Sequence, residues 1–355
     1  VTHPAPEWTV VVPVYNQPEM LARLLESLES LEDAHRLEVI VVDDCSTDDT
    51  PAAARAWCDR QHPFPARYLC LDRNSGPGRA RNEGARAARG AIVLYTDADC
   101  VVTPGWARAL AAGIDLERGI VGVAGRVDAL SEESPAARYY AFNNILQPPV
   151  HFVNYLVTCN AAVAREPLLE VGGFSEDIGH PGGEDVEASI LLWKRGWRFA
   201  FAEEALVYHD FRASIRNFAK TWYNYGQGGA LVMHRQLAPQ EIVPEFEHRR
   251  IENFWDGRFT RPAVTGFRSF FGATKFVNGA YRKQGLPLAE RLRFNFFWFL
   301  QIAAHGAGWR QGRKRYFAEG GRPPAYFRQA DPGLQSEKVT EDPLHGTAGM
   351  TFFDP

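Results

Sequence analysis

Asp97-Ala98-Asp99 closes an apolar run, Ala91-Ile92-Val93-Leu94-Tyr95-Thr96, that reads as a buried β-strand. Two carboxylates one residue apart at a strand end point the same way and repel each other. The arrangement is costly unless a cation sits between them. Hard oxygen ligands suit Mg2+ or Mn2+, ions that commonly bridge a protein carboxylate to a substrate diphosphate. A solvated Asp-rich turn has the same sequence, so the tripeptide takes its meaning from its surroundings.

Three further groups could share that chemistry. Asp43-Asp44 follows the apolar run Leu37 to Val42. Glu184-Asp185 stands before a helix expected over Val186 to Arg195, which Gly196 is placed to end. The preceding Gly182-Gly183 lets the backbone approach a ligand closely, although an acid pair at a helix start also fits dipole capping. His209, in Val207-Tyr208-His209-Asp210, could add an imidazole to the carboxylates and tilt a metal preference from Mg2+ toward Mn2+.

The elements that must position these groups alternate in type. Thr9 to Val14 reads as a first buried strand, with Asn16 as N-cap of a helix carrying Leu21, Leu24, Leu25, Leu28 and Leu31. Leu37 to Val42 is a second strand, Pro51 to Trp57 a weak helix and Arg67 to Leu71 a third strand. Gly76 to Ala88 is a helix, and the run ending at Asp97 is the fourth strand. Thr103-Pro104 should start another helix. Short strand-like pieces follow at Ile120 to Ala124 and Phe199 to Phe201. Alternation of this kind implies an α/β fold with a mostly parallel sheet covered by helices on both faces. Ligands bind such sheets beyond the carboxyl ends of the strands, where Tyr15-Asn16, Asp43-Asp44 and Asp97-Asp99 all fall.

From about residue 212 the pattern changes. Ser214 to His234, Ala263 to Arg282 and Leu288 to Phe317 read as helices with aromatics on one side and Arg or Lys on the other. The aromatics include Phe267, Phe270, Phe271, Phe276, Phe294, Phe296, Phe297, Trp298 and Phe299, and the cations include Arg268, Lys275 and Arg291. The residues after Gly320 read as an extended or loose tail. The expected organisation is a catalytic and ligand-binding unit over 1–211 and a mostly helical region over 212–355.

The chain has 355 residues, 45% of them hydrophobic, with 9 Trp and 23 Phe, enough for a sizeable core. A net charge of −4 gives no basis for a nucleic-acid partner. Five cysteines, an odd number with no Cys-x-x-Cys pair, fit reduced thiols in a cytoplasmic protein. The N-terminus carries no basic-then-apolar signal pattern. The late apolar segment Phe294 to Trp309 contains Gln301 and His305 and falls short of the ~20 apolar residues that span a bilayer.

The ordered set of motifs resembles the family 2 glycosyltransferases, which have the GT-A fold. The matching pieces are Val12-Pro13-Val14-Tyr15-Asn16, Val42-Asp43-Asp44-Cys45-Ser46-Thr47-Asp48, Asn74-Ser75-Gly76 through Ala80-Arg81-Asn82-Glu83-Gly84, Asp97-Ala98-Asp99, Gly172-Gly173-Phe174 and Gly183-Glu184-Asp185. They run from about Trp8 to Asp210. The resemblance implies inverting transfer of a sugar from a nucleotide-diphosphate donor with Mn2+ or Mg2+. Pro13, Val14, Tyr15 and Asn16 would line the base, and Asp43 or Asp44 would accept a hydrogen bond from it. Arg81 would reach the base or phosphates, unless it is only a solvated helix residue. Asp97 and Ala98 would serve the ribose or a metal-bound water, and Asp99 and His209 the metal.

On the same footing Asp185 is the expected general base. Glu184 would support it or orient an acceptor hydroxyl beside Gly183. Asn160 is a candidate sugar or acceptor contact. Trp193-Lys194-Arg195-Gly196-Trp197 partly resembles the Gln-x-x-Arg-Trp motif of processive synthases, but the Gln is missing. A non-processive enzyme is expected, with Trp197 as an acceptor-stacking candidate. The acceptor would be a saccharide, a lipid-linked sugar or a small molecule. The C-terminal helices would pack on the catalytic unit, pair in a homodimer, or rest peripherally on the inner face of the cell membrane. A sugar-1-phosphate nucleotidyltransferase would want a basic Gly-rich loop after the first strand, and Gln17-Pro18 offers none. A non-catalytic nucleotide-sugar-binding protein is the remaining alternative.

Overall fold

The structure, a computed structural model, describes residues 4–148, 153, 155–211, 214–236 and 278–317. Among these, strands β1 (Trp8–Val14), β2 (Leu37–Asp43), β3 (Ala66–Cys70) and β4 (Ile92–Thr96) form a parallel half-sheet in the order β3-β2-β1-β4. Every residue of β1 and β2 is buried, as expected for strands covered on both faces. Beyond β4 the sheet is mixed. Strand β7 (Asn160–Ala164) runs antiparallel to β4 and to β6 (Ile120–Ala129), and β8 (Arg198–His209) is parallel to β6. The short β5 (Cys100–Val102) pairs antiparallel with the end of β8.

Strand β8 reaches β5 because it is bulged. Its register against β6 jumps from Gly125↔Ala202 to Arg126↔Leu206, and the strand bends there. The carbonyls of Arg126 and Ala205 at the bulge are satisfied by one amide, Asn160 Nδ2, at 2.7 Å each. A Cβ at Gly125 would lie 2.3 Å from the Ala205 carbonyl oxygen, so the bulge needs glycine there.

One face of the sheet packs on α1 (Pro18–Leu28), α2 (Thr50–Cys58) and α4 (Trp106–Ala112), with Leu21, Leu24, Leu25, Leu28 and Trp106 in the core. The other face packs on α3 (Pro77–Ala87), α6 (Arg165–Glu170) and α7 (Glu184–Lys194). A separate aromatic cluster joins α5 (Pro135–Phe142) to α8 (Ile215–Gln236) and α9 (Leu288–Phe317) through Tyr139, Tyr140, Phe218, Trp222, Phe294 and Phe297. No helix among the described residues is long and apolar enough to cross a membrane.

Several boundaries differ from the sequence expectations. Asn16 is not the N-cap: it adopts φ 52° and turns its side chain to Thr47, so α1 begins after Gln17. The helix expected at Thr103-Pro104 starts at Trp106, because β5 and a turn occupy the residues before it. Helix α7 starts at Glu184, which makes the acid pair its first two residues. Of the helix expected over Ala263 to Arg282, only 278–282 falls among the described residues, and it is helical. The expectations for Phe267, Phe270, Phe271, Phe276, Arg268, Lys275 and the tail after Gly320 lie outside them.

Candidate active site

The ends of β1, β2, β4 and β8 meet the N-termini of α3 and α7. At the end of β2, Asp43 and Asp44 are both buried. Asp43 accepts from the Ser46 amide (2.9 Å) and the Tyr68 hydroxyl (2.6 Å). Asp44 accepts from the Ser75 and Gly76 amides at 2.8 and 2.7 Å, which ties β2 to the start of α3. Burial raises the Asp44 pKa despite those two amides. Pro13 and Val14 are sheet core, and the Val14 carbonyl accepts from the Asp44 amide. Tyr15, exposed beyond the strand end, and Asn16 form the rim.

Arg81 carries the centre of the site. It is buried, not a solvated helix residue. Its Nη1 donates to Glu184 Oε1 and its Nη2 to Asp97 Oδ1, both at 2.8 Å. Burial alone would weaken the guanidinium charge, but Asp97 and Glu184 more than offset this and raise its pKa. Glu184 Oε2 accepts from the Gly182 amide at 2.7 Å, so both its oxygens are engaged. Glu184 thus acts as a bracket under Asp185 in this conformation.

Asp185 is half-buried beside that pair. Three carboxylates, Asp97, Glu184 and Asp185, share one guanidinium, and no cation is hydrogen-bonded to Asp185 among the described residues. Its pKa is pushed up to about 7, first by burial and then by the Glu184 charge, against the pull of Arg81 and the Val186 amide. The buried phenols of Tyr155 and Tyr225 also feel its charge, and burial keeps both protonated.

The Asp97 to Asp99 turn links β4 to β5. The protein supplies a different partner for each carboxylate: Arg81 for Asp97, and the imidazole of His209, 3.4 Å from Asp99, for the second. Asp97 is therefore held by a guanidinium, whereas the Asp99 Oδ1 atom facing His209 is buried and makes no hydrogen bond. His209 ends β8 and pairs with Cys100 in the sheet, which is what brings it to Asp99. Its Nδ1 is buried without a hydrogen-bond partner, and its ring packs 4.7 Å from that of Phe211. Ligand atoms of Asp99, His209 and Cys100 lie within 4.8 Å of one another. Cys100 is buried, its thiol donates to the Cys159 carbonyl and its pKa is raised by burial, so it serves as a core thiol. A carboxylate with an orphaned imidazole nitrogen nearby fits a divalent ion of the Mn2+ type. Ala98 is buried in the core beneath the turn.

Trp197 and Asn160 are held by the fold in different ways. Trp197 lies past the far end of α7 from Asp185, about 16 Å of helix away, and packs on the back core with Phe199. Asn160 is buried and spends its amide on the β8 bulge, while its Oδ1 accepts from Trp106 Nε1 at 2.8 Å. Asn160 nevertheless pairs with Thr96, next to Asp97, whereas Trp197 stands away from Asp185. Sequence reasoning missed a polar network behind the site: Gln236 Nε2 donates to buried Glu187, and Arg235 bonds Ser175, Glu187 and Asp177. Its one signal is that Glu187 follows Glu184 by a single helical turn.

Comparison with known proteins agrees with this geometry. The chain matches the glycosyl transferase family 2 model over residues 9–166 and the glycosyl transferase family group 2 model over residues 92–309. It is 30% identical to the succinoglycan biosynthesis protein ExoO of Rhizobium meliloti over 85% of this chain and 90% of that protein. It is 32% identical to the pre-mycofactocin glycosyltransferase of Mycobacterium tuberculosis over 69% of this chain, but spans only 52% of that protein. In fold it resembles the mannosyltransferase PcManGT of Pyrobaculum calidifontis, solved with GDP-Man and Mn2+ (TM-score 0.60, 21% identity, 86% of this chain and 88% of that one). It also resembles S. aureus TarS 1–349 with UDP-GlcNAc (TM-score 0.54, 18% identity, 87% and 92%). The mixed sheet with its C-terminal helices is the GT-A architecture. With one family model covering more than half of its length and a relative 30% identical across most of it, this chain belongs to the family 2 glycosyltransferases.

Proposed function

We propose that this glycosyltransferase moves one sugar from a nucleotide-diphosphate donor to an acceptor hydroxyl with inversion, and that Asp185 is the general base. One observation carries the reading. Asp185 is the carboxylate left without a cation in a cluster where Arg81 serves two others, and its pKa is raised to about 7. Such a group ionises near neutral pH yet keeps enough basicity to take a proton from a hydroxyl. Arg81 fixes Asp97 and Glu184, and Glu184 in turn holds the Gly182 amide, so the base is presented on a braced loop.

Asp99 and His209 would hold the metal, with Asp97 beside it. A bound Mn2+ or Mg2+ would act as a Lewis acid on the departing diphosphate. Tyr15 and Asn16 on the rim, with Asp43 and Asp44 behind them, form the proposed nucleotide end of the crevice. The open Asp185 side would take the acceptor, be it a saccharide, a lipid-linked sugar or a small molecule. We place the enzyme in the cytoplasm, with peripheral contact at the inner face of the membrane through its C-terminal helices.

A thermal-shift screen of UDP-, GDP- and dTDP-sugars, each with Mn2+, Mg2+ or EDTA, tests the donor half. Ligand at about 100 times its Kd should add about 2.7 kcal/mol of stability. A metal-dependent rise in Tm with one nucleotide family, together with slow donor hydrolysis, is expected. No rise with any donor, or binding with no hydrolysis and no transfer, counts against the proposal and returns the chain to a non-catalytic binding role.

A further inference from the structure

Two of the matching motifs, Ala80-Arg81-Asn82-Glu83-Gly84 and Gly172-Gly173-Phe174, are joined through Asn82. Asn82 is buried, and its side-chain amide pairs with the Phe174 backbone in both directions. Its Oδ1 accepts from the Phe174 amide and its Nδ2 donates to the Phe174 carbonyl, each at 2.8 Å. The same Nδ2 donates to Glu176 Oε1 at 2.9 Å. The approach is close. Gly173 has a φ of +72°, and a Cβ there would stand 2.2 Å from Asn82 Oδ1. A Cβ at Gly78, one turn before Asn82, would stand 2.3 Å from the Ser175 carbonyl oxygen. The Phe174 ring in turn lies beneath Arg81, 5.9 Å from its guanidinium carbon, and packs T-shaped on Tyr95.

The intervening residues are held from the other side. Arg235, at the end of α8, donates from Nη1 to Ser175 Oγ at 3.0 Å and from Nη2 to the Asp177 carboxylate. Its Nη1 also lies 3.5 Å from Glu187 Oε2 on α7, and Gln236 Nε2 occupies Glu187 Oε1 at 2.8 Å. Glu187 is buried, and taking the cation from a buried carboxylate is costly, so Arg235 is a fixed anchor rather than a loose surface side chain. Segment 174–177 is therefore gripped alternately, residues 174 and 176 by Asn82 and residues 175 and 177 by Arg235. It forms a splint between α3, which carries Arg81, and α7, which begins with Glu184 and Asp185.

We propose that Asn82 and Arg235 are positioning residues for sugar transfer. By holding segment 174–177 they fix the distance between α3 and α7, and with it the Arg81–Glu184 bridge and the placing of Asp185. This deepens the proposed function and rests on Asp185 as the base. Neither residue is asked to touch the donor. The nucleotide end is tied separately, through Asp44 and the Ser75 and Gly76 amides. Loss of the splint should therefore slow the reaction and leave donor affinity in place.

The test uses the full chain and whichever UDP-, GDP- or dTDP-sugar gives the Mn2+-dependent thermal shift. Hydrolysis of that sugar, read as release of the nucleoside diphosphate, gives kcat, and its titration by thermal shift gives donor affinity. Ser175→Ala with Asp177→Ala removes the grip of Arg235 on the segment without touching Glu187. The Asp177 side chain is 71% exposed, so this enzyme should fold. Its kcat should fall roughly tenfold, and that of Asn82→Ala roughly 10²-fold, with donor affinity within about twofold of wild type. Both anchors act on one segment, so combining the three substitutions should lose little more than Asn82→Ala alone, whereas unrelated structural lesions would multiply. Wild-type kcat in Ser175→Ala/Asp177→Ala, a parallel loss of donor affinity, or losses that multiply overturns the inference. Asp185→Asn in the same assay reports on the base itself. A wild-type rate there sinks the proposed function, and a slow rate there beside unaffected splint variants sinks this inference alone.

Discussion

Replacing Gly228 with alanine should disable catalysis from outside the crevice. A Cβ at position 228 would stand 1.7 Å from the Gly182 carbonyl oxygen and 2.7 Å from its carbon. Carbon atoms in favourable contact sit roughly 3.5–4.0 Å apart, so from the carbonyl carbon alone one partner must retreat by about 1 Å. Helix α8 has little room to do so. Across its other side a Cβ at Gly226 would already be 2.1 Å from the His305 carbonyl oxygen, a measure of how closely α9 is seated. The loop 182–183 must therefore yield, and it leads directly into Glu184 and Asp185. Misplacing a reacting group by about 1 Å can cost on the order of 10²-fold in rate. Initial-rate measurements of sugar transfer should show kcat down roughly 10²-fold with donor affinity nearly unchanged. Gly306→Ala is the control: it lies in α9 with nothing within 4 Å of the added Cβ. It should gain about 1 kcal/mol from helix propensity and keep its kcat. A folded Gly228→Ala enzyme with wild-type kcat would refute the reasoning. Parallel loss of donor affinity would refute it too, by pointing to general disruption.

Three other outcomes follow from the same geometry. Asp185→Asn should lose roughly 10²–10⁴-fold in transfer rate while its thermal shift with donor persists; full activity removes Asp185 from the base role. The folded pKa of Asp185 is raised from 3.8 to about 7, so its proton stabilises the fold at low pH and that stability is lost as pH rises through 7. Asp185→Asn should therefore melt higher than wild type at pH 8 but not below pH 4, and wild-type kcat/KM should fall on the acid side of about pH 7. Arg81→Met should cost about 3 kcal/mol in denaturant unfolding, since it leaves Glu184 and Asp97 without their cation. It should also move the acid limb of the pH profile upward, because Arg81 lowers the Asp185 pKa; an unmoved limb contradicts the coupling. His209→Ala should abolish the Mn2+-dependent part of donor stabilisation seen by thermal shift, and EDTA should make the wild type behave like the variant.

The first half of the site was legible in the sequence because local pattern and topology coincide there. Fully buried β1 and β2 read as unbroken apolar runs, and their polar ends fall where a parallel sheet binds ligands. The role of Arg81 was not legible. Its partners Asp97 and Glu184 are 16 and 103 residues away, and nothing within α3 marks it as buried. The surroundings of Asn160 and Trp197 were not legible for a related reason. The bulge that claims Asn160 is formed by carbonyls at 126 and 205, which have no local trace, and the length of α7 removes Trp197 from the base. Strand β5 has only three residues and takes its partner from the far end of β8, so no periodicity announces it.

The bulge in β8 also bears on the order in which the protein assembles. Asp99 emerges early during synthesis, whereas His209 and the pairing of Cys100 with it must wait until the whole of β8 has been made. Closing so long a loop is entropically costly and slow. The parallel half-sheet can form from the first hundred residues, so the proposed nucleotide-binding surface can exist before His209, the proposed metal-side residue, arrives. Refolding followed by two probes, one reporting nucleotide binding and one reporting Mn2+ binding, should resolve that interval as a lag between the two signals.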